Sequence, residues 1–271
     1  MAKPKLDFAF DGRISDQYDR QRQHPPGVSV RIGEFIAGLL PARAEVLELG
    51  IGTGRIAVPV VAAGCRVTGI DISAEMLGQL QSPSGEAASH PRLVLGDISR
   101  LPFRNDCFDA VTAVHVLHLV PGWEQALAGA LRSLRPGGKL LLGRDWIDPE
   151  SMAGQLQSQF RRVVLDIMGP NLKAPAGGYN VAAALNELGA GALHVGANEL
   201  IAAEWETELS PEEILTAIRQ RNHPESWILP DEMLDPVDER MRDFAAPLWP
   251  DLEARQAVRR RFLIAVYQRP G

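Results

Sequence analysis

Between residues 45 and 143, short apolar runs alternate with amphipathic ones. Residues 45–49, 66–70, 92–95, 108–114 and 139–143 read as strands, bounded by glycine, proline and polar clusters. Residues 55–63, 74–80 and 122–134 carry the helical period between them. Pro59 must lie in the first turn of its helix or kink it, and Gly64 stops that helix. Ser73 offers an N-cap to the next helix. Arg135-Pro136-Gly137-Gly138 reads as a turn into the fifth strand. Strands alternating with helices at this spacing predict a parallel sheet covered by helices on both faces.

The pattern changes on either side of this stretch. The first 27 residues are polar and irregular, ending in His24-Pro25-Pro26-Gly27, and residues 28–40 then read as an amphipathic helix. Residues 146–178 look helical and then loop-like, and 180–188 helical. Residues 200–209 alternate as a strand. Ser210-Pro211-Glu212-Glu213 is a helix start, with serine as N-cap and proline in first position. Residues 221–257 are irregular and helical, and 262–267 read as a final strand. The expected division is an N-terminal segment and helix over 1–44, a core over 45–145, its continuation over 146–257 with helical insertions at 146–178 and 221–257, and a last core strand over 258–271.

Composition narrows the classes of partner. The chain of 271 residues is 45% hydrophobic and 23% charged, enough for a sizeable buried core. Its 28 basic against 34 acidic residues give a net charge of −6, unsuited to nucleic acid or an anionic membrane surface. The one basic run, Arg259-Arg260-Arg261, reads as a solvated strand entrance in preference to a phosphate site. Cys65 and Cys107 form neither a metal-ligand spacing nor a disulfide framework. No metal is expected. With no secretory signal pattern and no apolar run near the ~20 residues of a membrane span, a cytoplasmic protein is predicted. Oligomeric state stays open between monomer and homodimer.

The segment richest in chemistry is Val46-Leu47-Glu48-Leu49-Gly50-Ile51-Gly52-Thr53-Gly54, a strand running into a glycine-rich turn and a helix. Glycine lets backbone approach a ligand closely, and open α/β sheets place ligands at the carboxyl ends of their strands. A dinucleotide fingerprint aligned on Gly50 and Gly52 wants a small residue at 55, where this chain has Arg55. Glu48, two residues before the turn, would repel a pyrophosphate but welcome a cationic amino-acid moiety. A nicotinamide oxidoreductase is therefore disfavoured.

Glu48-x-Gly50-x-Gly52-x-Gly54 resembles the first motif of class I S-adenosylmethionine-dependent methyltransferases, in the branch acting on small molecules and quinones. The resemblance continues in order through Asp71 in Gly69-Ile70-Asp71-Ile72-Ser73, Gly96-Asp97-Ile98, Leu101-Pro102-Phe103, Phe108-Asp109, residues 112–118 and Leu134-Arg135-Pro136-Gly137-Gly138. Tyr18-Asp19-Arg20 with His24-Pro25-Pro26 resembles the N-terminal segment that closes over the cofactor in that branch. It implies a Rossmann-like fold: a mostly parallel seven-stranded sheet, an antiparallel last strand and helical lid insertions over an apolar acceptor pocket. It implies S-adenosylmethionine as cofactor, S-adenosylhomocysteine as product and a small-molecule acceptor. A non-catalytic cofactor-binding regulator or assembly protein is the alternative, though an intact glycine turn speaks against it.

The resemblance also assigns residues. Gly50, Ile51, Gly52 and Gly54 would pass under the methionine part, with Glu48 on its ammonium. Asp71 would accept from both ribose hydroxyls, with Ile72 and Met76 towards the adenine. Asp97 would accept from the adenine amino group, and Ile98 offer its N–H to the ring. His115 would touch the cofactor. His115 and His118 stand where a general base could act, although packing explains His118 as well. Tyr18 suits orienting substrate or packing over the cofactor. Asp145 suits a base or a helix cap. Trp146, Trp205 and Trp227 suit a pocket lining or plain core. The residues leave each of these pairs open.

Overall fold

The computed structural model describes residues 24–80, 90–169, 181–187, 193–194, 199–223, 226 and 229–271. Residues 1–23, Tyr18 among them, Trp227 and residues 170–178 lie outside the described residues. The chain divides into two compact units. Unit 1 takes the chain up to Arg144, residues 180–203 and 263–271; unit 2 takes 145–179 and 204–262.

Unit 1 opens with α1 (Pro26–Gly38), whose proline sits at the start, where its missing N–H is no loss. Then follow β1 (Glu45–Leu49), α2 (Ala57–Ala62), β2 (Arg66–Asp71), α3 (Ala74–Leu80), β3 (Arg92–Leu95), β4 (Phe108–Val114), α4 (Trp123–Ser133) and β5 (Leu134–Ile147). Later come α6 (Val181–Glu187), β6 (Leu193–His194), β7 (Leu200–Leu209) and β8 (Gln256–Gln268); of β5, β7 and β8, residues 134–144, 200–203 and 263–268 belong to unit 1 and the rest to unit 2. Pro59 falls in the first turn of α2, and the Ser73 hydroxyl accepts from the Met76 N–H at 3.2 Å, capping α3. One path of the sheet runs β3-β2-β1-β4-β5-β8-β6, seven strands, with β7 pairing β8 as well. β1, β2, β3, β4 and β5 run parallel where they pair, and β8 runs antiparallel to β6. This is the Rossmann-like α/β order expected from the sequence.

β1 lies inside the sheet and is buried beyond its first residue, which is why its pattern is apolar except at Glu45, the half-buried entry, and Glu48. Leu47, Leu49, Ile70, Val111, Leu127 and Leu140 form the heart of this core. The turn expected at 135–138 is a break in register within β5: Phe108 faces Leu134, and the next paired residues are Ala110 and Lys139. Gly137 takes a φ of +76° there, and the excursion is clamped by Gly137 N–H to Arg269 O and Arg269 N–H to Gly138 O. Asp109 ties three strands: it accepts from the Glu45 N–H at 2.8 Å and pairs with Arg135 at 2.5 Å.

Unit 2 has its own core. Helices α5 (Met152–Met168), α7 (Pro211–Arg219) and α8 (Leu234–Ala245) bury Leu156, Phe160, Leu215, Val237 and Met241 with Val258 of β8. α7 starts with a full capping box: the Ser210 hydroxyl accepts from the Glu213 N–H while the Glu213 carboxylate accepts from the Ser210 N–H. The Arg259-Arg260-Arg261 run lies within β8 and is no strand entrance. Among the described residues, no helix is long and apolar enough to cross a membrane.

Candidate functional site

Parallel strands end together, so the turns following β1, β2, β3 and β4 gather at one edge of unit 1. The β1–α2 turn is shaped by three glycines with φ of +65° (Gly50), +53° (Gly52) and +84° (Gly54), a region L side chains rarely enter. At Gly50 a Cβ would also stand 2.4 Å from Val116 Cγ2, and at Gly54 2.7 Å from Leu80 Cδ1. Over Gly52 the surroundings differ. A Cβ would meet only Met76 Sδ at 3.5 Å, so the turn presents bare backbone to a crevice. Ile51, between them, is buried and packs its side chain where Gly69 of β2 leaves room.

Asp71, at the tip of β2, holds this turn. Its Oδ2 accepts from the Gly52 N–H at 2.8 Å and its Oδ1 from the Ser73 N–H at 2.9 Å. Each oxygen accepts one of the two bonds its lone pairs allow, which leaves capacity for two more donors. Gly96 N–H donates to Asp71 O at 2.8 Å, bringing the β3 end alongside.

Glu48 is the anomaly of the core. It is 4% exposed, and among the described residues its carboxyl makes no hydrogen bond or ion pair. Burial pushes it up to about 8; Arg55 pulls the other way and Asp71 adds to the rise. A buried carboxyl without a partner is costly, and a cationic ligand at this place relieves that cost. The two carboxyls therefore form an acceptor set that fits the ammonium and ribose hydroxyls of S-adenosylmethionine.

The other predicted residues divide. Met76 is buried against the turn, whereas Ile72 is 70% exposed, an apolar side chain open at the β2 tip. Asp97 is exposed and folds back in an Asx turn, its Oδ1 accepting from the Ser99 N–H at 2.8 Å. The Ser99 side chain and backbone hold its carboxyl below the ordinary value. Ile98 is buried beside it. His115 follows β4 with a φ of +51°, a strained conformation of the kind concentrated at functional positions. Its ring lies 6.4 Å from that of His118, edge to face. Asp145 belongs to unit 2, where its charge acts on Arg260.

Three contributors escaped the sequence reading. Val116 packs against Gly50. Leu95, paired with Asp71 in the β2–β3 register, is 62% exposed at the strand end. Arg55 Nη1 reaches His24 Nε2 at 3.0 Å, tying the residues before α1 to the glycine turn. Nothing in the spacing of residues 31 apart signals that bond.

Comparison with known proteins agrees with this geometry. Residues 47–142 match the methyltransferase domain family. The chain is 35% identical over 140 residues to 27-O-demethylrifamycin SV methyltransferase of Amycolatopsis mediterranei, covering 50% of this chain and 51% of that protein. It is 32% identical over 164 residues to the ubiquinone/menaquinone biosynthesis C-methyltransferase of Paracoccus denitrificans, covering 58% and 66%. The chain thus spans between half and two thirds of the length of these curated relatives. In fold it resembles the YcgJ protein of Bacillus subtilis, with a TM-score of 0.57 at 15% identity over 89% of this chain and 98% of that one. It also resembles the S-adenosylmethionine complex of phosphoethanolamine N-methyltransferase 2 from Haemonchus contortus, with a TM-score of 0.53 at 15% identity over 98% and 60%.

Proposed function

We propose, from the premise that residues 47–142 are a methyltransferase domain, that this chain transfers a methyl group from S-adenosylmethionine to a small molecule. The observation that carries the reading is Glu48, a buried carboxyl that makes no hydrogen bond or ion pair among the described residues and stands two positions before a turn of bare glycine backbone. The cofactor supplies an electrophilic methyl group on a sulfonium. The remaining work falls to the chain's own residues. Glu48 receives the ammonium of the methionine part, and Gly50, Ile51, Gly52 and Gly54 pass beneath it. Asp71 uses its two unfilled acceptor sites on the ribose hydroxyls. Ile72 and Met76 supply apolar contact to the base, Ile98 offers its N–H to the ring, and Asp97 keeps its second oxygen for the amino group. Alignment of the two reactants, with water excluded, can supply ~7–11 kcal/mol of the barrier.

His115 and His118 are the candidates for accepting a proton from a hydroxyl or carbon acceptor. A nitrogen or sulfur acceptor needs neither. Tyr18 is a further candidate for orienting the acceptor, and Asp145 for a base, since Ser151 caps the helix that follows. The acidic composition favours a small molecule over nucleic acid.

Calorimetric titration with S-adenosylmethionine, S-adenosylhomocysteine and NAD tests the cofactor, with the first two expected to bind and the third not. Mass spectrometry for +14 products across a metabolite panel tests transfer. Cofactor binding with no such product would transfer the assignment to a regulatory or assembly role. Binding of NAD alone would overturn the reading.

A further inference from the structure

The three consecutive arginines of β8 have unlike fates. Arg259 and Arg261 point to one face of the strand and are neutralised there, Arg259 by Asp148 at 2.8 Å and Arg261 by Glu204. Arg261 also lies over the Trp146 ring, 4.8 Å from its centroid. Arg260 points to the opposite face, in line with Val258 and Phe262, both fully buried. Arg260 itself is half-buried, so its guanidinium is not sealed into that row and part of it reaches solvent. Its Nε donates to Thr207 Oγ1 at 3.0 Å. Among the described residues, its Nη nitrogens make no hydrogen bond or ion pair. Burial pushes the guanidinium down, and the Asp145 carboxylate favours its charged form.

We propose that unit 2 contains a site for a carboxylate-bearing small molecule, in which Arg260 donates one N–H from each Nη nitrogen to the two carboxylate oxygens. The arginine fork matches a planar two-oxygen acid, and the Nε–Thr207 bond fixes its plane in advance. A carboxylate is favoured over a phosphate by the local charge. Asp145 already contributes one negative charge, and the two neighbouring arginines are spent on carboxylates of the other face. A single cation beside Asp145 accommodates one further negative charge better than two. The proposal rests on unit 2 alone and stands or falls independently of the cofactor reading.

The test titrates the full chain with benzoate, its neutral analogue benzamide and phenyl phosphate, following the unfolding temperature and two-dimensional NMR shifts. Saturable binding is expected for benzoate, weaker binding for phenyl phosphate and none for benzamide. Arg260→Gln should weaken benzoate at least tenfold. Asp145→Asn should tighten it several-fold by removing the competing charge, and this second variant decides the matter if the first fails to fold. Equal binding of benzoate and benzamide, no saturable benzoate binding, or tighter binding absent in Asp145→Asn would each overturn the proposal. S-adenosylmethionine affinity, measured on the same samples, reports separately on the cofactor site.

Discussion

In unit 1 the buried carboxyls Glu48 and Asp71 make no ion pair among the described residues, and Asp71 spends its bonds on the backbone N–H groups of Gly52 in the glycine turn and of Ser73. In unit 2 the acidic groups are claimed by arginines. Arg242 holds Glu212 through two bonds of 2.7 Å and Asp238 through one of 3.0 Å, and Arg219 reaches Asp235 and Asp238. Arg242 holds the Glu212 carboxyl below its ordinary value, while burial drives Glu48 the other way. The second arrangement links exposed faces of helices and is complete in itself. The first keeps charge and acceptor capacity in reserve, which stabilises nothing until a ligand arrives.

The largest effect should come from filling the turn. Gly50→Ala combines a left-handed backbone, ~1–2 kcal/mol, with overpacking against Val116, ~1–3 kcal/mol. Urea unfolding should register a loss of about 2–5 kcal/mol, together with loss of cofactor binding. A variant as stable as the parent would show that the turn is not held as described.

Asp71→Ala should weaken S-adenosylmethionine binding by at least ~1.5 kcal/mol, more than tenfold, by calorimetry. Unchanged affinity would remove the ribose assignment. Arg242→Ala draws the contrast from the other side. Its bonds are half exposed and screened, so the expected cost is about 1 kcal/mol of stability, with cofactor affinity within twofold of the parent. A tenfold drop in affinity would erase the distinction between the two regions.

Glu48 sharpens the comparison through pH. Its folded value, about 8, lies above the 4.5 of an unhindered carboxyl, so the ligand-free folded chain holds a proton that the unfolded chain releases between those limits. Its contribution to stability is complete below pH 4.5 and is lost as pH rises towards 8. Glu48→Gln should abolish that dependence, so its stability relative to the parent should rise between pH 5 and 8 in urea titrations. Binding a cation at Glu48 should expel the proton. At pH 6.5, calorimetry in buffers of different ionisation enthalpy should show proton release for the parent and none for Glu48→Gln.

Much of unit 1 was legible along the chain because its determinants are local. Apolar runs, the cap Ser73 and the glycine turn act over a few residues, and each leaves a mark in order. Other features depended on residues distant in sequence. The excursion at 135–138 reads as a turn, yet it is absorbed into β5 because Arg269 supplies the matching backbone groups. Likewise the run at 259–261 reads as one charged patch. Strand alternation sends its middle member inward, a consequence that appears only once β8 is known to extend through it.

The sequence by itself determined the alternating α/β order, the glycine turn and the acidic residue at the second strand's tip, since periodicity and backbone chemistry are written residue by residue. Tertiary structure alone decided that Asp71 grips Gly52, that Glu48 makes no hydrogen bond or ion pair among the described residues, that His24 meets Arg55 and that Arg260 faces the apolar side of its strand. Those outcomes depend on which groups packing brings together and which it removes from water. Burial and long-range pairing are properties of the folded chain, and no local pattern encodes them.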